Sequence, residues 1–155
     1  MQDVISDWLA EIGRPFGLDL ALDENGAAGL GLGDGTLLVV EAEPELGAVH
    51  LHAEVLRLPD DAVARAAMLE EAMALNLHAR RTEGATLGLD RRSDALILSI
   101  SRQVAELDGR DFAALLTAFA ETVAALRAEL GGGPAPSGEA ATVSAMRLVD
   151  PRLLA

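Results

Sequence analysis

One stretch restricts the fold of this chain more than any other, residues 74–90. It opens Ala74-Leu75-Asn76-Leu77, passes through a basic turn, and continues Gly84-Ala85-Thr86-Leu87-Gly88-Leu89-Asp90. The first half reads as the end of an alanine-rich helix. Asn76 stands where the helical pattern stops, and Asn tolerates the left-handed conformation that closes many helices. The second half alternates Leu87 and Leu89 with Thr86 and Gly88, the period of a half-buried strand. Helix end, tight turn, strand, hairpin and a long closing helix follow in order, so this join ties the two halves of the chain together.

Upstream, Val4, Ile5, Trp8, Leu9 and Ile12 recur at helical spacing opposite Asp3, Asp7 and Glu11. This predicts an amphipathic helix over 2–12, stopped by Gly13 and Pro15. Leu18, Leu20 and Leu22 alternate with polar or small residues and predict a first strand. Asn25-Gly26 is turn chemistry. Leu30 and Leu32 alternate with glycines in a second strand, Asp34-Gly35 turns again, and residues 36–43 form a third. A fourth runs from Val49 to Val55, with His50, His52 and Glu54 on its polar side. Pro59-Asp60-Asp61 opens the alanine-rich helix, with acids where the macrodipole favours them.

Downstream of the join, Arg91-Arg92-Ser93-Asp94 turns a hairpin whose second strand alternates Leu96, Leu98 and Ile100 with Ile97, Ser99 and Ser101. Asp108 is placed to cap the last helix, and Asp111 supports its first turn. Phe112, Leu115, Leu116, Phe119, Val123, Leu126 and Leu130 form one apolar stripe, which must lie on a sheet face. The fold class is therefore α+β: an antiparallel twisted sheet of five or six strands with three helices. The domain covers 1–130. A Gly/Pro/Ser linker spans 131–142, and the tail 143–155 is either disordered or docked back onto the domain.

A chain of 155 residues builds one domain with a real core. Aromatics make up 3% of it, so that core must be aliphatic. A net charge of −13 argues against nucleic acid or an anionic membrane as partner and favours a basic or amphipathic polypeptide. There is no cysteine for a disulfide or a thiolate metal site. No secretory signal is recognisable, and no apolar run reaches the roughly 20 residues of a bilayer span. A soluble, intracellular protein is expected.

No catalytic motif survives inspection. The glycines from Gly29 to Gly35 are followed by a strand, whereas a dinucleotide fingerprint needs a helix there. Walker, EF-hand and serine-elbow patterns are absent. His50 and His52 share one strand face, but no third metal ligand is set by spacing, and a solvated face is the expectation. No metal, cofactor or enzymatic activity is expected.

The Leu-Asn-Leu helix end, the Gly-Ala-Thr-Leu-Gly-Leu-Asp strand and the closing amphipathic helix resemble the class I chaperones of type III secretion, the Tir-chaperone (CesT-like) family. The resemblance runs from about residue 1 to residue 130. It implies a bacterial cytoplasmic homodimer that binds the extended N-terminal segment of a secreted effector, with the secretion-system ATPase as a further partner. It places Ile5, Trp8, Leu20, Leu30, Leu32, Leu38 and Val40 as effector-binding residues, and Met68, Ala72, Met73 and Ile97 at a dimer interface. The alternatives are an enzyme or small-ligand-binding protein of helix-on-sheet fold, and a chaperone-like regulator unrelated to secretion.

Overall fold

The computed structural model describes residues 1–131 and 147–149. Its elements run α1 (Gln2–Gly13), β1 (Ala27–Gly31), β2 (Leu37–Glu43), β3 (Ala48–Arg57), α2 (Ala62–Asn76), β4 (Thr86–Asp90), β5 (Ala95–Gln103), α3 (Gly109–Leu130) and β6 (Arg147–Val149). The strands form one antiparallel sheet in the order β4-β5-β3-β2-β1-β6. The linker expected over 131–142 lies outside the described residues apart from Gly131. Of the tail, the described segment is a strand on the sheet.

Strand alternation sorts the side chains onto two faces. Leu30, Leu38, Val40, Val49, Leu51, Leu96 and Leu98 point to one face and are buried there with Ile5 and Leu9 of α1 and Phe112, Leu116, Phe119, Val123 and Leu126 of α3. The expected α3 stripe is thus the core seam, with Leu115 and Leu130 half-buried at its margins. Asp108 caps α3 by accepting the backbone N–H groups of Arg110 and Asp111, each at 2.8 Å. Asp61 caps α2 through the N–H of Ala64.

The two outer helices cross closely. A Cβ at Gly109 would stand 2.9 Å from Trp8, so the absence of a side chain lets α3 start against α1. Trp8 and Phe112 meet at this crossing with ring centroids 5.4 Å apart.

Two local expectations are corrected. Residues 18–22 form no strand, although the alternation holds and Leu20 is fully buried. The segment lies against α1, where the Leu22 N–H donates to the Ser6 hydroxyl, and it meets no partner strand among the described residues. Asn76 does not close α2 in the left-handed region. Its φ is −68°, and His78 and Ala79 take the positive φ values instead. The Asn76 amide is used elsewhere: it donates to the Leu87 carbonyl at 2.9 Å and accepts from the Leu87 N–H at 2.8 Å.

Candidate functional site: the open sheet face and the sheet edges

Only one face of the sheet carries helices α1 and α3. The other is lined by the odd positions of β2, the even positions of β3 and the odd positions of β5. Leu37, Val39, His52, Glu54, Ile97 and Ser99 surround a concavity of 630 Å³ there, with Leu89 and Arg127 among its lining residues. Val39 sits opposite His52 and is almost wholly buried on this face. His52 Nδ1 lies 3.8 Å from a Glu41 carboxylate oxygen. His50 shares this face as the alternation predicts, and its Nε2 is buried with no hydrogen-bond partner among the described residues.

Arg127 fixes one wall of the concavity. From α3 it donates to the carbonyls of Val55 and Glu54, each at 2.8 Å, and to the Thr36 hydroxyl at 2.7 Å. Its guanidinium is 3.6 Å from Asp34 in the β1–β2 turn. Burial alone would push the Asp34 carboxyl up. The Thr36 hydroxyl and N–H, together with Arg127, outweigh that and hold it below the usual carboxylate range.

Of the three α-helices, α2 is the least covered. It buries Ala72 and Leu75 and leaves Val63 78% and Met73 75% exposed, and Leu77 just past its end is 67% exposed. Exposed Ala66, Ala67 and Ala74 share that side of the helix, a stripe with Val63 near its start and Met73 near its end. The helix is anchored at both ends. Arg65 makes a bidentate ion pair with Asp94 in the β4–β5 turn, at 2.8 and 2.5 Å, and Asn76 bonds β4 as described. The Arg65 guanidinium holds the Asp94 carboxyl below its ordinary value.

The residues expected to bind an effector do not form one surface. Ile5, Leu20, Leu30, Leu38 and Val40 are wholly buried in the core under α1 and α3, so they hold the fold together instead of lining an open groove. Leu30, Leu38 and Val40 are the inward residues of their strand alternation, which sequence cannot distinguish from an inward groove position. Trp8 and Leu32 are half-buried at the edge of that core. Of the residues expected at a dimer interface, Met73 is exposed, Met68 half-buried, and Ile97 half-buried on the open face. Ala72 is the exception, being buried within the chain.

Sequence reasoning missed Val63, Leu77 and Leu89 as exposed apolar positions. Val63 and Leu77 are the apolar residues at the two ends of α2, Leu77 just past its last residue. Leu89 was not, since its alternation pairs it with buried Leu87. Val4 in the first turn of α1 and Phe16 just beyond its last are also exposed.

Residues 7–127 match the Tir chaperone protein (CesT) family. The chain belongs to that family. No curated protein matches the sequence. Among solved structures, this CesT-family chain is similar to one in the ExsC–ExsE complex, with a TM-score of 0.72 at 22% identity, covering 88% of this chain and 98% of that one. It is also similar to a chain in the complex of the Yersinia pestis type III secretion chaperone SycH with a fragment of YscM2. There the TM-score is 0.56 at 17% identity, with 76% and 95% covered. YbjN, a candidate transcription regulator from E. coli, shares the fold with a TM-score of 0.59 at 19% identity, with 84% and 90% covered.

Proposed function

We propose that this CesT-family chain is a dimeric secretion chaperone. It holds the extended N-terminal segment of a secreted effector and keeps it soluble for export. Family membership over residues 7–127 carries this reading. The physical features agree with it: a soluble, acidic body of net charge −13 with exposed apolar surface on a helix and on an open sheet face. A disordered segment can wrap such a body, and its ordering cost is met on binding. The chain acts by covering apolar client residues, so no catalytic group is needed. The cytoplasm is where client and chaperone meet, and hand-over to the secretion-system ATPase completes the cycle.

The dimer of this proposal pairs through the α2 stripe and the open face. Val63, Met73 and Leu77 are costly to leave in water. Met73 and Ile97, with Leu89 and Val63, replace the buried Ala72 as the residues to test. The client surface is assigned to the other end of the sheet: α1 with Val4 and Trp8, and the neighbouring strand edge.

The experiment is co-purification of the tagged full chain with its native partner from the cells that make it, followed by sizing with light scattering. The expected result is a stoichiometric complex on a two-chain core. Met73→Glu with Ile97→Asp should yield folded monomers, whereas Val4→Asp with Trp8→Ala should keep the dimer and lose the client. A monomer that retains no partner, with a native circular dichroism spectrum, would overturn the proposal. Val40→Asp is unsuitable as a binding probe, because a charge at that core position unfolds the protein.

A further inference from the structure

The outer edge of β1 is occupied by the chain's own tail, and the backbone groups there can be accounted for one by one. Leu32 N–H donates to the Thr36 carbonyl and Ala42 N–H to the Gly26 carbonyl. In an antiparallel ladder the bonding residues alternate. The even-numbered residues of β1 therefore bond β2, and Ala27, Gly29 and Gly31 face outward. Ala27 is already satisfied from within the domain: its N–H donates to Asp23 Oδ1 at 3.0 Å, and its carbonyl accepts the Asp23 N–H at 2.7 Å. That leaves the N–H and carbonyl of Gly29 and Gly31. The tail meets them, with Val149 in register opposite Gly29, Leu148 opposite Leu30 and Arg147 opposite Gly31.

The contrast with the rest of the sheet is one of length and tethering. Strands β3 and β5 run together over most of their length, from Ala48 opposite Gln103 to Arg57 opposite Ala95. The β6 pairing covers three residues and offers bonding partners to two, at the end of a connection (132–146) rich in glycine, proline, alanine and serine. A strand held so briefly opens at low cost. Once it opens, it exposes unpaired peptide groups beside a core residue, the template that extended polypeptides add to.

We infer that the β1 edge is a strand-accepting site which this chain keeps filled with residues 147–149, so that an incoming extended polypeptide binds by displacing its own tail. The tail reports what fits. The incoming segment needs free N–H groups at the two positions opposite Gly29 and Gly31, which excludes proline there. It carries an apolar residue opposite Leu30, on the core side, and a basic flank is favoured by the acidic body. For the client this rests on the chaperone reading above. The tail then acts as a placeholder, protecting an aggregation-prone edge until a better strand arrives.

The test uses the full chain and a fluorescein-labelled peptide of residues 143–155, read by anisotropy. The tail in cis lowers the fraction of open edge, so the apparent affinity of the peptide falls by that fraction. Val149→Pro removes the N–H facing Gly29 and should bind the peptide about tenfold or more tighter than the wild type. The chain has no cysteine of its own. A Gly29→Cys/Val149→Cys disulfide should therefore close the site when oxidised and reopen it when reduced, read within that one variant.

Equal affinity of all three proteins would overturn the inference. So would failure of the Val149→Pro protein to bind, or equal binding of a peptide that itself carries Val149→Pro. The two readings fail separately. Peptide exchange without any client capture removes the chaperone reading and leaves the strand site. Client capture that is indifferent to the oxidised lock removes the inference and leaves the chaperone.

Discussion

The sheet has two outer boundaries, and the chain closes them by different means. At β4 the closure is a side chain: the Asn76 amide mimics a peptide group and bonds both the N–H and the carbonyl of Leu87. At β1 it is the Asp23 loop for one residue and the tail for the next two. Asn76 belongs to a helix that Arg65 also pins to the β4–β5 turn, so the β4 closure moves only if the fold does. The β1 closure hangs on a strand of three residues, 147–149. An edge closed by a packed side chain is structural, and an edge closed by a tethered strand can exchange.

The largest effect expected from this contrast is at Asn76. Asn76→Ala leaves both Leu87 groups unpaired and should cost about 1–3 kcal/mol in chemical denaturation. An unchanged midpoint would show that β4 needs no such closure. Next is Asp23→Ala, which releases the Asn25 and Ala27 N–H groups and should cost about 1 kcal/mol. Val149→Pro should be nearly silent in the same assay, within about 0.5 kcal/mol, while it speeds amide exchange at Gly29 and Gly31. A large loss of stability there would make the tail a structural strand and erase the difference between the edges.

The smallest effect concerns acid. Arg65 depresses the Asp94 pKa, so its contribution is present above the unfolded value of about 4 and is lost as pH falls through the lowered folded value. Melting temperatures of wild type should therefore converge on those of Asp94→Asn at low pH and exceed them at neutral pH. Parallel curves would show that the ion pair adds nothing to the anchoring of α2.

Much of the fold was legible because periodicity and turn chemistry are local. The glycines at 26 and 35 take φ of 80° and 83° where Asn-Gly and Asp-Gly predict turns. Asp108 caps the helix that its position announces. The alternation at 18–22 was also read correctly as to sides, and failed only as to partner. A strand is defined by a neighbour, and α1 took the place where one would lie. The site was less legible. Leu30, Leu38 and Val40 show the same inward alternation whether a helix or a client covers them, and in this chain they are buried in the core with α1 and α3.

By itself, the sequence determined the α+β order of elements, the aliphatic core, the acidic surface and the absence of cysteine, since each follows from composition or from contacts a few residues apart. The tertiary structure alone decided which face of the sheet stays open, that Asn76 serves β4 instead of ending its helix, and that residues 147–149 lie on β1. Those outcomes depend on which backbone groups are left unpaired once distant segments meet. Hydrogen-bond satisfaction is a property of the assembled sheet, and no local pattern encodes it.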